Sequence, residues 1–324
     1  MNALPDDKGG LIERREGSDG RYRVGADGVR AIYSTADDVV DFVCYDGRTD
    51  AYVRSKMGYP AVYPLLPARV ERPIEAVLMD LDGTTVHSEH FWVWIIEQTT
   101  AALLGDPGFR LAPEDTPFVS GHSVSEHLQH CIATYGPDKT VEEARAIYSD
   151  IVRREMKAIE EGRGRADAFA PSPGLKQFLL ALKERGIRIA VVSSGLHEKA
   201  WPELLAAFRT LGLGDPRRFY DAIVTAGYTI RQGQAGTLGE LEAKPHPWLY
   251  AEAARVGLGI DVADRHHVIG LEDSGAGVVA IRLAGFSAIG MAGGNIEESG
   301  TKCLLHDYCE DLDQVLRLID QEPC

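Results

Sequence analysis

Cysteine is scarce in this sequence and poorly spaced. Five occur in 324 residues, Cys44, Cys131, Cys303, Cys309 and Cys324, an odd and scattered set without C-x-x-C spacing, which argues against a disulfide framework or a zinc site. Positive charge is also in deficit. Lys and Arg total 34 against 49 Asp and Glu, a formal charge of −15, and no basic run or aromatic-basic interleaving occurs, so nucleic acid is not an expected partner. No apolar run reaches the roughly 18 residues of a membrane span. No charged start followed by an apolar stretch marks a secretory leader, so no membrane partner is expected and the cytoplasm is the default location. What is present is ordinary globular composition, 44% apolar and 26% charged, in a length that suits one large α/β domain with a smaller one.

The chain divides by pattern. Residues 1 to about 20 are rich in Gly and charge without periodicity and read as a mobile leader. Short β-prone pieces follow to Tyr52, for which two or three strands or one short helix fit equally well. Tyr59 to Pro73 carries four prolines, which exclude helix and favour an extended connector. Ile74–Leu81 (IEAVLMDL) is a buried-strand run that stops at Asp82-Gly83-Thr84. Three amphipathic helices are predicted over Phe91–Leu104, Val124–Tyr135 and Glu142–Glu161. From Ser172 onward helices alternate with strands, which predicts a doubly wound parallel sheet covered on both faces.

Asp80 and Asp82 lie at i and i+2 where the first strand emerges, so both side chains project to the same side at the edge where open α/β sheets bind ligands. Paired carboxylates suit a hard divalent cation, Mg²⁺ being the usual choice beside phosphate. Without one, their mutual repulsion raises a pKa.

Asp80-Leu81-Asp82-Gly83-Thr84 resembles the first motif, DxDxT, of the haloacid dehalogenase-like hydrolase superfamily. Three further matches follow in the family's order: Ile189 to Gly195 (IAVVSSG), Lys244-Pro245-His246-Pro247, and Val268 to Gly277 (VIGLEDSGAG). Alone, each has a bland reading as a solvated turn, a strand-end cap, a surface Lys-Pro turn or a helix N-terminal charge pair. Together, each closing a predicted strand, they leave those readings little room. The resemblance implies a Rossmann-like core in which Asp80 attacks phosphorus and Asp82 is acid and then base. It further implies that Ser193 bonds a phosphoryl oxygen, with Ser194 and the Gly195 amide beside it, and that Lys244 offsets charge next to Asp80. The implied Mg²⁺ ligands are Asp80, the carbonyl of Asp82, Glu272 and Asp273.

The helical stretch between the first and second motifs is similar to the inserted cap of the β-phosphoglucomutase-like branch. The expected domains are an extension and connector over 1–73, of unassigned role, a core of 74–86 plus 173–324, and a cap of 87–172. His90, His122 and Ser123 are candidate substrate contacts, Trp92 reads rather as cap core, and His246 reads as loop rather than ligand. The mutases of that branch carry a histidine and an arginine where this chain has Trp92 and Val124, so hydrolysis of a small phosphate monoester is favoured over mutase activity, with a sugar phosphate in view. Asp82 argues against dehalogenase and phosphonate chemistry. A non-catalytic phosphate-ligand protein on this fold is the remaining alternative. The expected partner is a small phosphorylated metabolite, and a homodimer assisted by the extension is left open. The Gly-rich segment 227–242 is read as a loop near the cap.

Overall fold

The structure, a computed structural model, describes residues 4–5, 8–54, 60–113, 115, 124–165, 167–226 and 242–321. These fall into two compact units, one of 1–85, 172–200 and 213–324 and the other of 86–171 and 201–212.

The first unit opens with an antiparallel meander of five strands in sequence order: β1 (Ile12–Arg14), β2 (Ala31–Ser34), β3 (Val40–Cys44), β4 (Thr49–Val53) and β5 (Ala61–Pro64). The reading of residues 1–20 as a mobile leader is corrected over the described residues 4–5 and 8–20. Leu4 is buried, and Ile12 pairs with Ser34 across the β1–β2 ladder. Strand periodicity sorts β3 into two faces. Val40, Phe42 and Cys44 join the large core cluster, while Val43 belongs to a small cluster with Val29 and Ile32. Asp41, buried between them, accepts hydrogen bonds from the Ser18 amide at 2.9 Å, the Ser18 hydroxyl at 2.8 Å and the Ser34 hydroxyl at 2.5 Å, which compensates its desolvation. Pro64 ends the edge strand β5, where a missing N–H donor costs least.

A parallel sheet follows, built from β6 (Ala76–Asp80), β9 (Arg188–Leu196), β10 (Ala222–Ala226), β11 (Val268–Glu272), β12 (Ser287–Met291) and β13 (Asp307–Cys309), in the spatial order β10-β9-β6-β11-β12-β13. The predicted doubly wound α/β fold is thus observed. Strands β6 and β11 are buried at every position, as expected of strands covered on both faces. The connecting helices are α4 (Leu175–Glu184), α5 (His197–Leu211), α6 (Pro216–Phe219), α7 (Trp248–Glu252) with a π-helical turn Ala253–Gly257, α8 (Gly275–Leu283) and α9 (Leu312–Ile319). The meander belongs to this core: Phe42, Ala51 and Val53 share one buried cluster with Leu249, Tyr250, Ala254 and Ile281.

The second unit contains the two-stranded β7 (Val86–His87) and β8 (Ala170–Pro171) and the helices α1 (Glu89–Leu104), α2 (Val124–Tyr135) and α3 (Val141–Glu160). A capping box between Thr140 and Glu143 starts α3, satisfying two orphan amides. Ile96, Leu103, Leu128, Cys131 and Ala144 form its core. Residues 201–212, assigned to the core by sequence, group with this unit instead, because the Arg209 guanidinium bonds the Ile159 and Glu160 carbonyls at the end of α3.

Phe42 tests whether the meander is an integral part of the core. It is fully buried, so Phe42→Ala is expected to cost about 3–5 kcal/mol in chemical denaturation. A loss under about 1 kcal/mol would mean the meander contributes little.

Candidate active site

Asp80 closes β6, and the chain then turns through Gly83 at φ +87°. A Cβ at Gly83 would lie 2.1 Å from a carboxylate oxygen of Asp273, so glycine is required both for the left-handed turn and for the approach of Asp273. Thr85 donates its hydroxyl to the Asp80 carbonyl, and Ser172 bonds the Thr84 carbonyl at 2.7 Å. Strand β11 delivers Glu272 and Asp273 beside them. Gly277 is needed for the same steric reason as Gly83, since a Cβ there would lie 1.8 Å from the Glu272 carboxylate.

Lys244 ties the strand ends together. Its ammonium contacts Asp80 Oδ1, Glu272 Oε1 at 2.6 Å and the Val192 carbonyl at 3.2 Å. That uses all three of its donors. Its side chain is 6% exposed. Glu272 is anchored as well: Oε1 also accepts from the Tyr250 hydroxyl at 2.8 Å, and Oε2 accepts from the Ser274 amide at 3.1 Å and hydroxyl at 2.9 Å.

Burial, then the charge of Glu272, pushes the Asp80 carboxyl well above its ordinary range against the opposing pull of Lys244. Burial alone would lower Lys244, but Asp80 and Glu272 together raise it, so the ammonium stays charged. Asp273 is pushed up to about 7 by burial and then by Glu272. Ligand oxygens of Asp80, Glu272 and Asp273 lie within 4.8 Å of one another. Three carboxylates against one ammonium leave two formal negative charges in a buried space, a donor set that fits a hard divalent cation.

The other predicted residues fall as follows. Ser193 is buried, and its hydroxyl accepts the Gly195 amide at 2.9 Å, which leaves the hydroxyl hydrogen available to a ligand. The Gly195 amide, expected to face phosphate, is engaged in that bond. The Ser194 hydroxyl accepts the Lys244 amide at 3.1 Å and so anchors the lysine's loop. The Asp82 side chain stands outside the carboxylate cluster and is held by Lys199 at 3.0 and 3.1 Å; the ligand expected from this residue is its carbonyl. His90 is exposed on α1 in the second unit. His122 and Ser123 lie outside the described residues, as does 227–241 of the Gly-rich segment. Trp92 packs edge-on against Phe91 and near Phe169, as read from sequence.

Sequence reasoning missed Lys199, Tyr250 and a contact from the extension. The Trp248 indole donates to the Tyr63 hydroxyl at 3.1 Å, and that hydroxyl lies 2.8 Å from His246 Nδ1. His246 is a loop residue, as expected, but one buried by β5 rather than solvated. Strand β5 therefore braces the loop that carries Lys244. No local pattern around Tyr63 signals this, because the contact spans 183 residues.

A haloacid dehalogenase-like hydrolase family model matches residues 74–285. The chain belongs to the haloacid dehalogenase-like hydrolase family. It is accordingly an enzyme of the phosphohydrolase kind. Among solved structures, CbbY from Rhodobacter sphaeroides in complex with phosphate is 23% identical over 76% of this chain and 100% of that one, with a TM-score of 0.54. A mutant of CbbY from Rhodobacter sphaeroides bound to xylulose-1,5-bisphosphate is 22% identical, covering 74% and 95% with a TM-score of 0.51. A predicted phosphoglycolate phosphatase from Haemophilus somnus is 18% identical, covering 76% and 98% with a TM-score of 0.56. At these identities the likeness concerns the fold. The family match starts after the meander, which is this chain's addition to the matched region.

Removing the ammonium leaves Asp80 and Glu272 buried without a countercharge. Lys244→Met is therefore expected to destabilise the metal-free protein by about 3–5 kcal/mol, read as a fall in denaturation midpoint. An unchanged midpoint would mean the pair is not buried in solution.

Proposed function

We propose that the protein is a Mg²⁺-dependent phosphatase that hydrolyses a small phosphate monoester, a sugar phosphate in the first instance, through an aspartyl-phosphate on Asp80. The observation that carries this reading is the Lys244 ammonium buried between Asp80 and Glu272 beside Asp273. Such a site holds a nucleophilic carboxylate ionised only by concentrating positive charge around it, which is also what a transferring phosphoryl group requires.

Asp80 attacks phosphorus while the carboxyl of Asp82 gives its proton to the leaving oxygen. Asp82 then takes a proton from the water that cleaves the aspartyl-phosphate. Lys199, bonded to both Asp82 oxygens, orients that acid and base. Ser193 donates its hydroxyl to a phosphoryl oxygen, and Lys244 neutralises another. Asp80, the Asp82 carbonyl, Glu272 and Asp273 are the residues that would hold Mg²⁺. When bound, the ion supplies positive charge to the phosphoryl oxygens. In this reading the helical unit is a cap that excludes water and selects substrate, with His90, His122 and Ser123 as contacts.

The phosphate and xylulose-1,5-bisphosphate bound to CbbY support a phosphorylated sugar. Trp92 and Val124, in place of the mutases' histidine and arginine, favour water over a sugar hydroxyl as acceptor. Among the described residues no helix is long and apolar enough to cross a membrane; the cytoplasm is the location proposed.

Phosphate release from sugar phosphates, nucleotides and other small esters, with and without Mg²⁺, tests the reading. Asp80→Asn is expected to lower release by at least about 10³-fold. Equal activity in the variant removes the mechanism, and conversion of a sugar 1-phosphate to its 6-phosphate without phosphate release assigns a mutase instead.

The elevated carboxyls give a second test. Below about pH 7 Asp273 holds a proton that a cation must displace, so Mg²⁺ affinity in calorimetry is expected to rise between about pH 6 and about pH 8, with proton release. A flat profile would count against these ligands.

A further inference from the structure

Catalysis uses the carboxyl ends of the strands, but the opposite edge of the sheet has a cavity of its own. It measures about 300 Å³ and is lined by Pro5, Pro67 and Ala68 from the extension and by Arg282, Ser287 and His306 from the core, among others. Ser287 is the first residue of β12 and pairs with Ile269, whereas Gly290 pairs with Glu272. Three residues of strand, roughly 10 Å, therefore separate it from the catalytic edge.

Two groups on the cavity wall lack what burial normally demands. Arg282 on α8 is 6% exposed. Its Nη1 donates to the Phe286 carbonyl at 3.2 Å and its Nη2 to the Leu66 carbonyl at 3.3 Å. No carboxylate pairs with it among the described residues, and burial, the sole influence on it, lowers its pKa to about 10. The guanidinium is thus charged at neutral pH and buried without a countercharge, a costly arrangement. Ser287 is 2% exposed, and its hydroxyl has no hydrogen-bond partner among the described residues. Stapling Leu66 to Phe286 accounts for two of the five Arg282 donors. It accounts neither for the missing anion nor for the unpartnered hydroxyl.

We propose that this cavity is a second binding site, distinct from the catalytic one, for a small phosphate-type oxyanion. Arg282 supplies the charge and its remaining donors, Ser287 supplies a hydroxyl donor, and His306 stands exposed at the rim. The volume suffices for inorganic phosphate or a small phosphomonoester. Because Leu66, Pro67 and Ala68 form one wall or its support, occupancy ties the connector to α8 and links the meander to the core.

Titration calorimetry in excess chelator removes the divalent cation that would help hold phosphate in the catalytic pocket, and the Arg282 and Ser287 variants assign the remaining binding to this site. One molecule of inorganic phosphate per chain is expected to bind under those conditions. Methylphosphonate, which no phosphatase can hydrolyse, serves as the second arm; tighter binding than phosphate assigns an organic ester, and weaker binding assigns free phosphate. Arg282→Met is expected to weaken binding at least about 100-fold and Ser287→Ala about 5- to 10-fold. Ser287→Ala also guards against a folding artefact, because deleting an unpartnered hydroxyl should leave the phosphate-free melting temperature unchanged or higher. Absence of phosphate binding in chelator, undiminished binding in Ser287→Ala, or a lower phosphate-free melting temperature in that variant overturns the proposal. None of these outcomes bears on Asp80, so the catalytic reading stands or falls separately.

Discussion

One buried ammonium organises the catalytic edge of the sheet. Lys244 reaches acceptors on three strands, Asp80 of β6, Glu272 of β11 and Val192 of β9, so the spacing of those strand ends is fixed by a single cation with no spare donor. The surrounding contacts serve to keep that cation and its partners in register. Tyr250 and Ser274 hold Glu272, Ser194 holds the lysine's own amide, and Gly83 and Gly277 leave the room that the carboxylates occupy. A buried ion pair gives little net stability, because desolvation offsets most of the attraction. Its value here is geometric, placing a carboxylate and a cation within reach of one transferring group.

The site divides into a dry part and a wet part. Asp80, Glu272 and Lys244 are almost wholly buried, whereas Asp82 and Lys199 are each about one-third exposed. This division matches the chemistry proposed. The nucleophile and its charge partners work where the field is strong and fixed. The acid and base must exchange protons with a leaving oxygen and with water, and so stands where solvent can arrive.

Sequence disclosed the core sheet and the strand ends that carry the candidate site because both are written in short local signals. A four-residue apolar run closed by Asp80, or β11 closed by Glu272 and followed by Asp273, needs no long-range information to be read as a buried strand with a candidate functional end. The helices α1 to α3 carry their own periodicity in the same way. Partners fixed by long-range packing were hidden. Nothing near Lys199 reveals Asp82, 117 residues away, and nothing near Tyr63 reveals His246. The meander was ambiguous for a related reason: its strands are three to five residues long, too short for period two to be told from chance. The expected roles of Ser194 and the Gly195 amide rested on proximity to a strand end, which does not say whether a polar group is already spent on the protein itself.

The bracing of the lysine loop by β5 has a consequence for what counts as the catalytic domain. The Tyr63 hydroxyl accepts from the Trp248 indole and shares a hydrogen bond with His246 Nδ1, and burial holds that imidazole below its ordinary pKa. A segment upstream of the matched family region thus holds a side chain two residues from Lys244. A polypeptide beginning at residue 74 would contain every proposed catalytic group yet leave Leu249, Tyr250 and Ile281 without their cover. Its autonomous folding unit is longer than its chemistry.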